Sequence, residues 1–377
     1  MRALLCAGLL LGVVVAACRD SPGPGDFTDP VAVSTDMQSV DSVFTSEVYR
    51  SFGVATFEMG TTVTGVAPLK PVATLLGTTM PKFDKGTGRP LLIGALQGQH
   101  LQQLRPAMSI AAEQGQIIPD SLYGRVFQWD AALDEYTWQD SVVPGLDGVR
   151  FILYQVDEFD TVIEPTVDVG TLDVIDESTV NHLQLHILVK ALGGTPTYLD
   201  YTASISVSIS AADTSVTANA TGFISNGLVA GNKTLTFDET VHVTNEPRFT
   251  ANATFTLNNP ARTFTFSESG FVSGQSFIIT GDFRFVRPGE TVQFYARIAF
   301  DSTVTVDAAV RANGRTVATL HAVAADPGEW VDAGGDPLTA DDIAALEALE
   351  SSAGGFEAAV LSLFTPVDTF FGGSIAP

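Results

Sequence analysis

Three places in this chain carry side chains that could do chemistry. His182 and His186 stand four residues apart, and on a helix that spacing would let both imidazoles grip one zinc ion. The residues between them argue for a strand instead. Leu183, Leu185, Ile187 and Val189 alternate with His182, Gln184, His186 and Lys190, and in a strand four residues span roughly 13 Å, too far for both rings to reach one metal unaided. The expectation is two exposed histidines on the polar face of a strand. Residues 326–342 carry Asp326, Glu329, Asp332, Asp336, Asp341 and Asp342. Oxygen ligands at that density can hold a divalent cation, but acids that cap a helix or a loop account for them with less. Asp157, Glu158 and Asp160 lack the spacing and the glycine of a calcium loop and read as a solvated turn.

His100, in the Gln-rich piece 97–103, has no second ligand type at a suitable spacing and reads as an exposed or satisfied histidine. The chain has no His-Glu-x-x-His, no Gly-x-Ser-x-Gly, no P-loop and no dinucleotide fingerprint. No catalytic residue, metal ligand or cofactor is therefore assigned, and an enzyme is the least favoured class.

The N-terminus carries a different kind of chemistry. Arg2 is followed by an uncharged run, residues 3–17, ending in Val15-Ala16-Ala17-Cys18. A spanning helix needs about 20 apolar residues, so this shorter run fits a secretory signal over residues 1–17. Small residues directly before Cys18 resemble the lipobox of bacterial lipoproteins. The resemblance covers residues 1–18 only. It implies cleavage before Cys18, lipid attached to its thiol, and a cell-envelope protein held to a membrane, at the outer membrane or the cell surface, through that lipid. With Cys6 removed in the signal, the mature chain keeps no other cysteine, so no disulfide or thiolate site is expected. Residues 18–33, with Pro22, Gly23, Pro24, Gly25 and Pro30, read as a tether.

Charged residues are 16% of the chain, yet the net charge is -24. A field of that sign repels phosphate backbones and anionic bilayer surfaces, which disfavours nucleic acid as a partner.

The elements that would position any site follow from periodicity. Residues 34–120 read as a helical and irregular region. Thr35 and Gln38 have capping-box spacing, and Met37, Val40, Phe44, Val48 and Phe52 recur at helical steps, predicting one amphipathic helix that ends near Gly53. A second helix over 91–104 is weakened by Gly94 and Gly98. Residues 121–325 read as an antiparallel β domain. It opens on a hairpin, 124–130 and 135–139, in which Trp129 and Trp138 pack across strands. A strand at 149–156, apolar on both faces, follows. Then comes an array in which apolar and Ser/Thr residues alternate at a period of two: strands near 183–192, 199–210, 216–225, 234–244, 248–258, 262–272, 275–286, 291–301, 303–312 and 315–324, with Asn313-Gly314 as a hairpin turn.

Ten or more strands with one apolar face must hide that face. The fold class expected is mainly β: a large antiparallel meander curled into a barrel-like or folded sheet. The N-terminal helical region and C-terminal helices in residues 326–377 pack on it, one of them started by Thr339 and Asp342. A membrane-spanning barrel shares the alternation, but 7 Tyr and 3 Trp leave little for aromatic girdles.

Two functions of different class follow. One is a binder or carrier of an apolar ligand, with Phe255, Phe264, Phe266, Phe277, Phe283 and Phe294 on the ligand-facing side. Its shape would be similar to that of the open-barrel lipoprotein carriers of the bacterial envelope. The other is a structural or adhesive surface module with a solid core, contacting another envelope protein and holding no small molecule. The Ser/Thr face reads as solvated.

Overall fold

The structure, a computed structural model, describes residues 30–64, 82–83, 90–91 and 115–372, with breaks at 210–213, 245–247, 275, 302, 324–327, 340–341, 345, 348–359 and 361. The signal and most of the tether, His100, and the helix expected over 91–104 past Leu91 lie outside the described residues.

The N-terminal apolar stripe forms two helices rather than one: α1, Pro30–Asp41, and α2, Glu47–Thr64. The break lies at Ser42 and Ser46. Ser42 Oγ donates back to the Ser39 carbonyl at 2.6 Å, and Ser46 Oγ accepts from the Tyr49 N–H at 3.2 Å, which is the N-cap contact of a new helix. Val40, Phe44, Val48 and Phe52 are all buried, so the stripe is real but turns a corner. Nor does Gly53 end the helix; its backbone faces open space on the solvent side of α2. α1 begins inside the segment read as tether, with Pro30 at the first helical position, where its missing N–H costs nothing.

Fifteen strands make one sheet. They are β1 Arg125–Asp130, β2 Glu135–Val142, β3 Gly148–Tyr154, β4 Asp168–Asp176, β5 His182–Ala191, β6 Thr197–Ile209 and β7 Thr214–Ser225. They continue as β8 Thr234–Thr244, β9 Phe249–Asn258, β10 Ala261–Ser273, β11 Ser276–Arg287, β12 Glu290–Phe300, β13 Val304–Ala312, β14 Arg315–Val323 and β15 Val331–Asp332. From β3 to β15 each strand pairs with the next and all pairs are antiparallel; β1 lies between β3 and β2 and runs parallel to β3. The chain is mainly β, as the alternation required. The ladder ends at β2 on one side and β15 on the other, so it is an open sheet and not a closed barrel. Asn313 and Gly314 both have positive φ, 51° and 77°, as the tight turn between β13 and β14 demands.

Register places the phenylalanines opposite one another. Phe255 pairs with Phe264, Phe264 with Phe285, Phe266 with Phe283, and Phe283 with Phe294. Ring centroids are 4.9 Å apart for Phe264 and Phe285, and 4.7 Å for Phe266 and Phe283. Burying each ring contributes roughly 1.5–3 kcal/mol, and each cross-strand pair adds tenths of a kcal/mol to about 1.

Helices from both ends of the chain cover this face in one continuous core with the sheet. Phe364, just ahead of α3 (Thr365–Gly372), wedges between Tyr201 of β6 and Phe237 of β8, edge-on to both at 5.6 and 5.9 Å. Gly222 of β7 lies between those two aromatics in register, and its missing Cβ, which would meet Tyr201 Cβ at 2.3 Å, lets the rings close up. Tyr201 donates its hydroxyl to the Leu363 carbonyl at 2.6 Å. α2 joins the same lid, with Tyr49 Oη 2.7 Å from Ser362 Oγ. α1 is tied down by charge: Asp36 takes Arg262 at 2.7 Å and Arg287 at 3.0 Å, and Arg287 also reaches buried Glu290 at 3.3 Å. The C-terminal segment thus covers the apolar face as expected. Thr339 and Asp342 form the reciprocal cap, Asp342 N–H to Thr339 Oγ1 at 3.2 Å and Thr339 hydroxyl to Asp342 Oδ2 at 2.6 Å.

Candidate functional site

Strand β8 runs Leu235, Phe237, Glu239, Val241 along its covered parity, and all four are buried. A carboxyl group therefore stands where every neighbour on the strand is apolar. Its cross-strand partners are Ala220 on β7 and Ala253 on β9. The row extends to Ala203 on β6, and the next row carries Ala218 and Ala251 beside Val241. Five alanine side chains thus stand around one glutamate, in contrast to the ring-filled face of β9 to β12.

Glu239 is 2% exposed, and its Oε2 is buried with no hydrogen-bond partner. Burial pushes its carboxyl well above the usual carboxylate range, since ionisation there would place an unpaired charge in a region of low dielectric. The arginines described on this face, Arg262 and Arg287, are held by Asp36 and Glu290 at the Asn258/Arg262 end of the strands. A neutral carboxylic acid can donate one hydrogen bond and accept others. Left unmade inside an apolar core, such a bond costs about 1–3 kcal/mol. The alanines beside it, Ala203, Ala218, Ala220 and Ala253, are buried in the same core.

Sequence reasoning missed Glu239, although the signal was present: one acid on the apolar parity of an otherwise regular strand. The six phenylalanines named from sequence do share the covered face. Phe255, Phe264, Phe266 and Phe283 are buried and packed on one another, while Phe277 and Phe294 are half-buried. They lie beside the alanine rows, with Phe266 directly opposite Ala253.

Asp326 and Asp341 lie outside the described residues, and other candidates have structural roles. His182 and His186 sit on β5 as a strand pair on the polar face. They are half-buried and partnered rather than simply exposed. His186 Nε2 lies 2.8 Å from Asp200 Oδ1 and its Nδ1 3.4 Å from Glu177, while His182 contacts Gln184. Asp157 closes its own turn, accepting from the Phe159 and Thr161 N–H groups, and Asp160 pairs with Arg50 of α2. Asp332 likewise accepts from the Gly334 and Asp336 N–H groups. Among the described residues no group of three His, Cys, Asp or Glu could hold a metal ion. Trp129 packs edge-on against Tyr136, whereas Trp138 is 52% exposed beneath the Arg125 guanidinium at 4.3 Å. No described helix is long and apolar enough to cross a membrane.

No family model matches this chain, and neither a curated protein nor a solved structure matches it.

Proposed function

We propose that this protein is a lipid-anchored component of a bacterial cell envelope that binds an apolar ligand on the covered face of its open sheet. The observation that carries the reading is Glu239: a buried carboxyl with an unpartnered oxygen, set among alanines in an otherwise apolar face. A packed core has no use for such a group, and an isosteric apolar residue would be more stable there. A ligand with an apolar body and one polar point would satisfy it. The run of residues 3–17 ending at Cys18 supports export and anchoring, and Cys18 supplies the membrane attachment.

The structural or adhesive module is the second reading, favoured by the tightly packed rings of Phe255, Phe264, Phe266, Phe283 and Phe285. The two differ in uptake of an apolar fluorescent dye by the full chain carrying Cys18→Ser, in which no anchor lipid competes. Saturable fluorescence gain that falls in Glu239→Leu supports the binder. A chain that takes up no dye is the solid module.

A further inference from the structure

We infer that the free edge of β2 is a docking site for an extended, basic segment of a partner protein, which adds to the sheet as one more strand. This surface is separate from the covered face, and the inference stands whether or not that face holds a ligand.

β2 ends the sheet on one side. Its neighbour is β1, and among the described residues no strand pairs with its outer backbone N–H and C=O groups. An added strand would bond to those groups through main-chain atoms. The ladder with β1 is regular from Glu135 to Gln139 and shifts register only beyond it, so five successive residues present a regular edge. β2 contains neither lysine nor proline, the residues by which free edges are commonly blunted. The opposite edge is less open. There β15, two residues long, takes Ala318 and Thr319 of β14, and the adjoining Trp330 packs on the sheet.

Two side-chain observations choose the occupant. Trp138 has the parity of buried Tyr136 yet is 52% exposed, and Val142 is exposed to the same degree. A tryptophan already steadied by the Arg125 guanidinium, 4.3 Å from its ring, is the kind of anchor that interfaces are built on. The free charge beside it is of one sign. Asp134, Glu135 and Asp140 are exposed along the strand, and none of the three enters an ion pair among the described residues. A second copy would bring two sets of these acids to one seam, between chains that each carry -24, so self-pairing of the edge is opposed. A segment that alternates apolar residues with Lys or Arg suits both features, its apolar side chains against Trp138 and its cations beside the acids.

The probe is the peptide acetyl-Lys-Val-Lys-Val-Lys-Val-Lys-amide, titrated into the full chain carrying Cys18→Ser and followed by tryptophan fluorescence and amide hydrogen exchange. Two control peptides are used. One has D-valine at every valine, equal in charge and composition but unable to lie as a regular strand. The other has Glu in place of every Lys. The expected result is saturable binding of the first peptide, with slowed exchange at alternate amides of residues 135–142. It should bind about tenfold more tightly than the D-valine peptide, the worth of one or two ladder hydrogen bonds. Glu135→Lys combined with Asp140→Lys should transfer the preference to the acidic peptide, and Trp138→Ala should weaken binding, both with unchanged far-ultraviolet circular dichroism. Equal binding of the L- and D-valine peptides, unchanged exchange over 135–142, or a preference of the unaltered edge for the acidic peptide would overturn the inference. So would protection of those amides that rises with protein concentration without any peptide, since that would assign the edge to a second copy.

Discussion

Replacing Glu239 by Gln isolates a buried carboxyl whose Oε2 has no hydrogen-bond partner. In the unfolded chain a glutamate titrates near 4.5, and in the fold burial raises its pKa well above that value. Below the unfolded value the carboxyl is protonated in both states, and its contribution to stability is fully present. As pH rises past that value, the unfolded chain gives up the proton while the folded chain keeps it. Stability then falls by about 1.4 kcal/mol per pH unit until the folded pKa is reached. Gln has nearly the same shape and does not titrate. The wild type and Glu239→Gln should therefore be close in stability at pH 4, and the Gln variant should be the more stable by an amount that grows with pH. A difference of about 1.4 kcal/mol per pH unit, as between pH 5 and pH 6, moves the midpoint of a chain this size by roughly 2–3 °C. Urea unfolding or calorimetry of both proteins at half-unit steps measures it directly. All other titrating groups are common to the two proteins and drop out of the difference. A gap that stays flat across that range, or that favours the wild type as pH rises, would refute the assignment of Glu239 as a buried, proton-retaining acid.

Three further outcomes follow from the packing. Phe264→Ala removes a ring with no exposure and should cost about 3–5 kcal/mol, whereas Phe277→Ala, at a half-buried site, should cost clearly less; equal losses in denaturant unfolding would contradict the packing order. Gly222→Ala should destabilise by more than about 1 kcal/mol, because its Cβ would meet the Asp200 carbonyl at 2.2 Å. It should also loosen the Phe364 wedge, read as faster amide exchange at residues 365–372, and unchanged exchange there would separate the glycine from the docking of α3. Cys18→Ala should abolish incorporation of labelled palmitate and move the protein out of the membrane fraction; retained label would place the lipid elsewhere.

How far the fold could be read from sequence depended on the regularity of each strand. From β5 to β14 one parity is mostly apolar and the other mostly polar, so those strands were legible nearly to their ends. β4 was not. Its sequence, Asp168–Asp176, puts Gly170 and Asp176 on the apolar parity and Val169 and Ile175 on the other, which blurs the alternation. Contacts from outside the strand explain two of its acids. Asp176 accepts from the Ile117 and Ile118 N–H groups, and Asp173 forms a two-point pair with Arg150. The single N-terminal helix failed for a local reason, since Ser46 caps a fresh start that helical spacing alone does not register. The parallel pairing of β1 with β3 is a matter of tertiary placement, to which residue periodicity is blind. For the site, the phenylalanine parity was right, but counting rings drew attention to the packed wall. Glu239, the acid that broke the pattern, was the more informative residue.

An apolar ligand held on the covered face should leave the cell with the protein. Mass spectrometry of an organic extract of the full chain carrying Cys18→Ser, purified without detergent from cells that export it, tests this most directly. The expected result is a co-purifying apolar lipid near one per chain, lost from Glu239→Leu. An extract free of lipid from a folded protein, or the same lipid at the same ratio in both proteins, would contradict it.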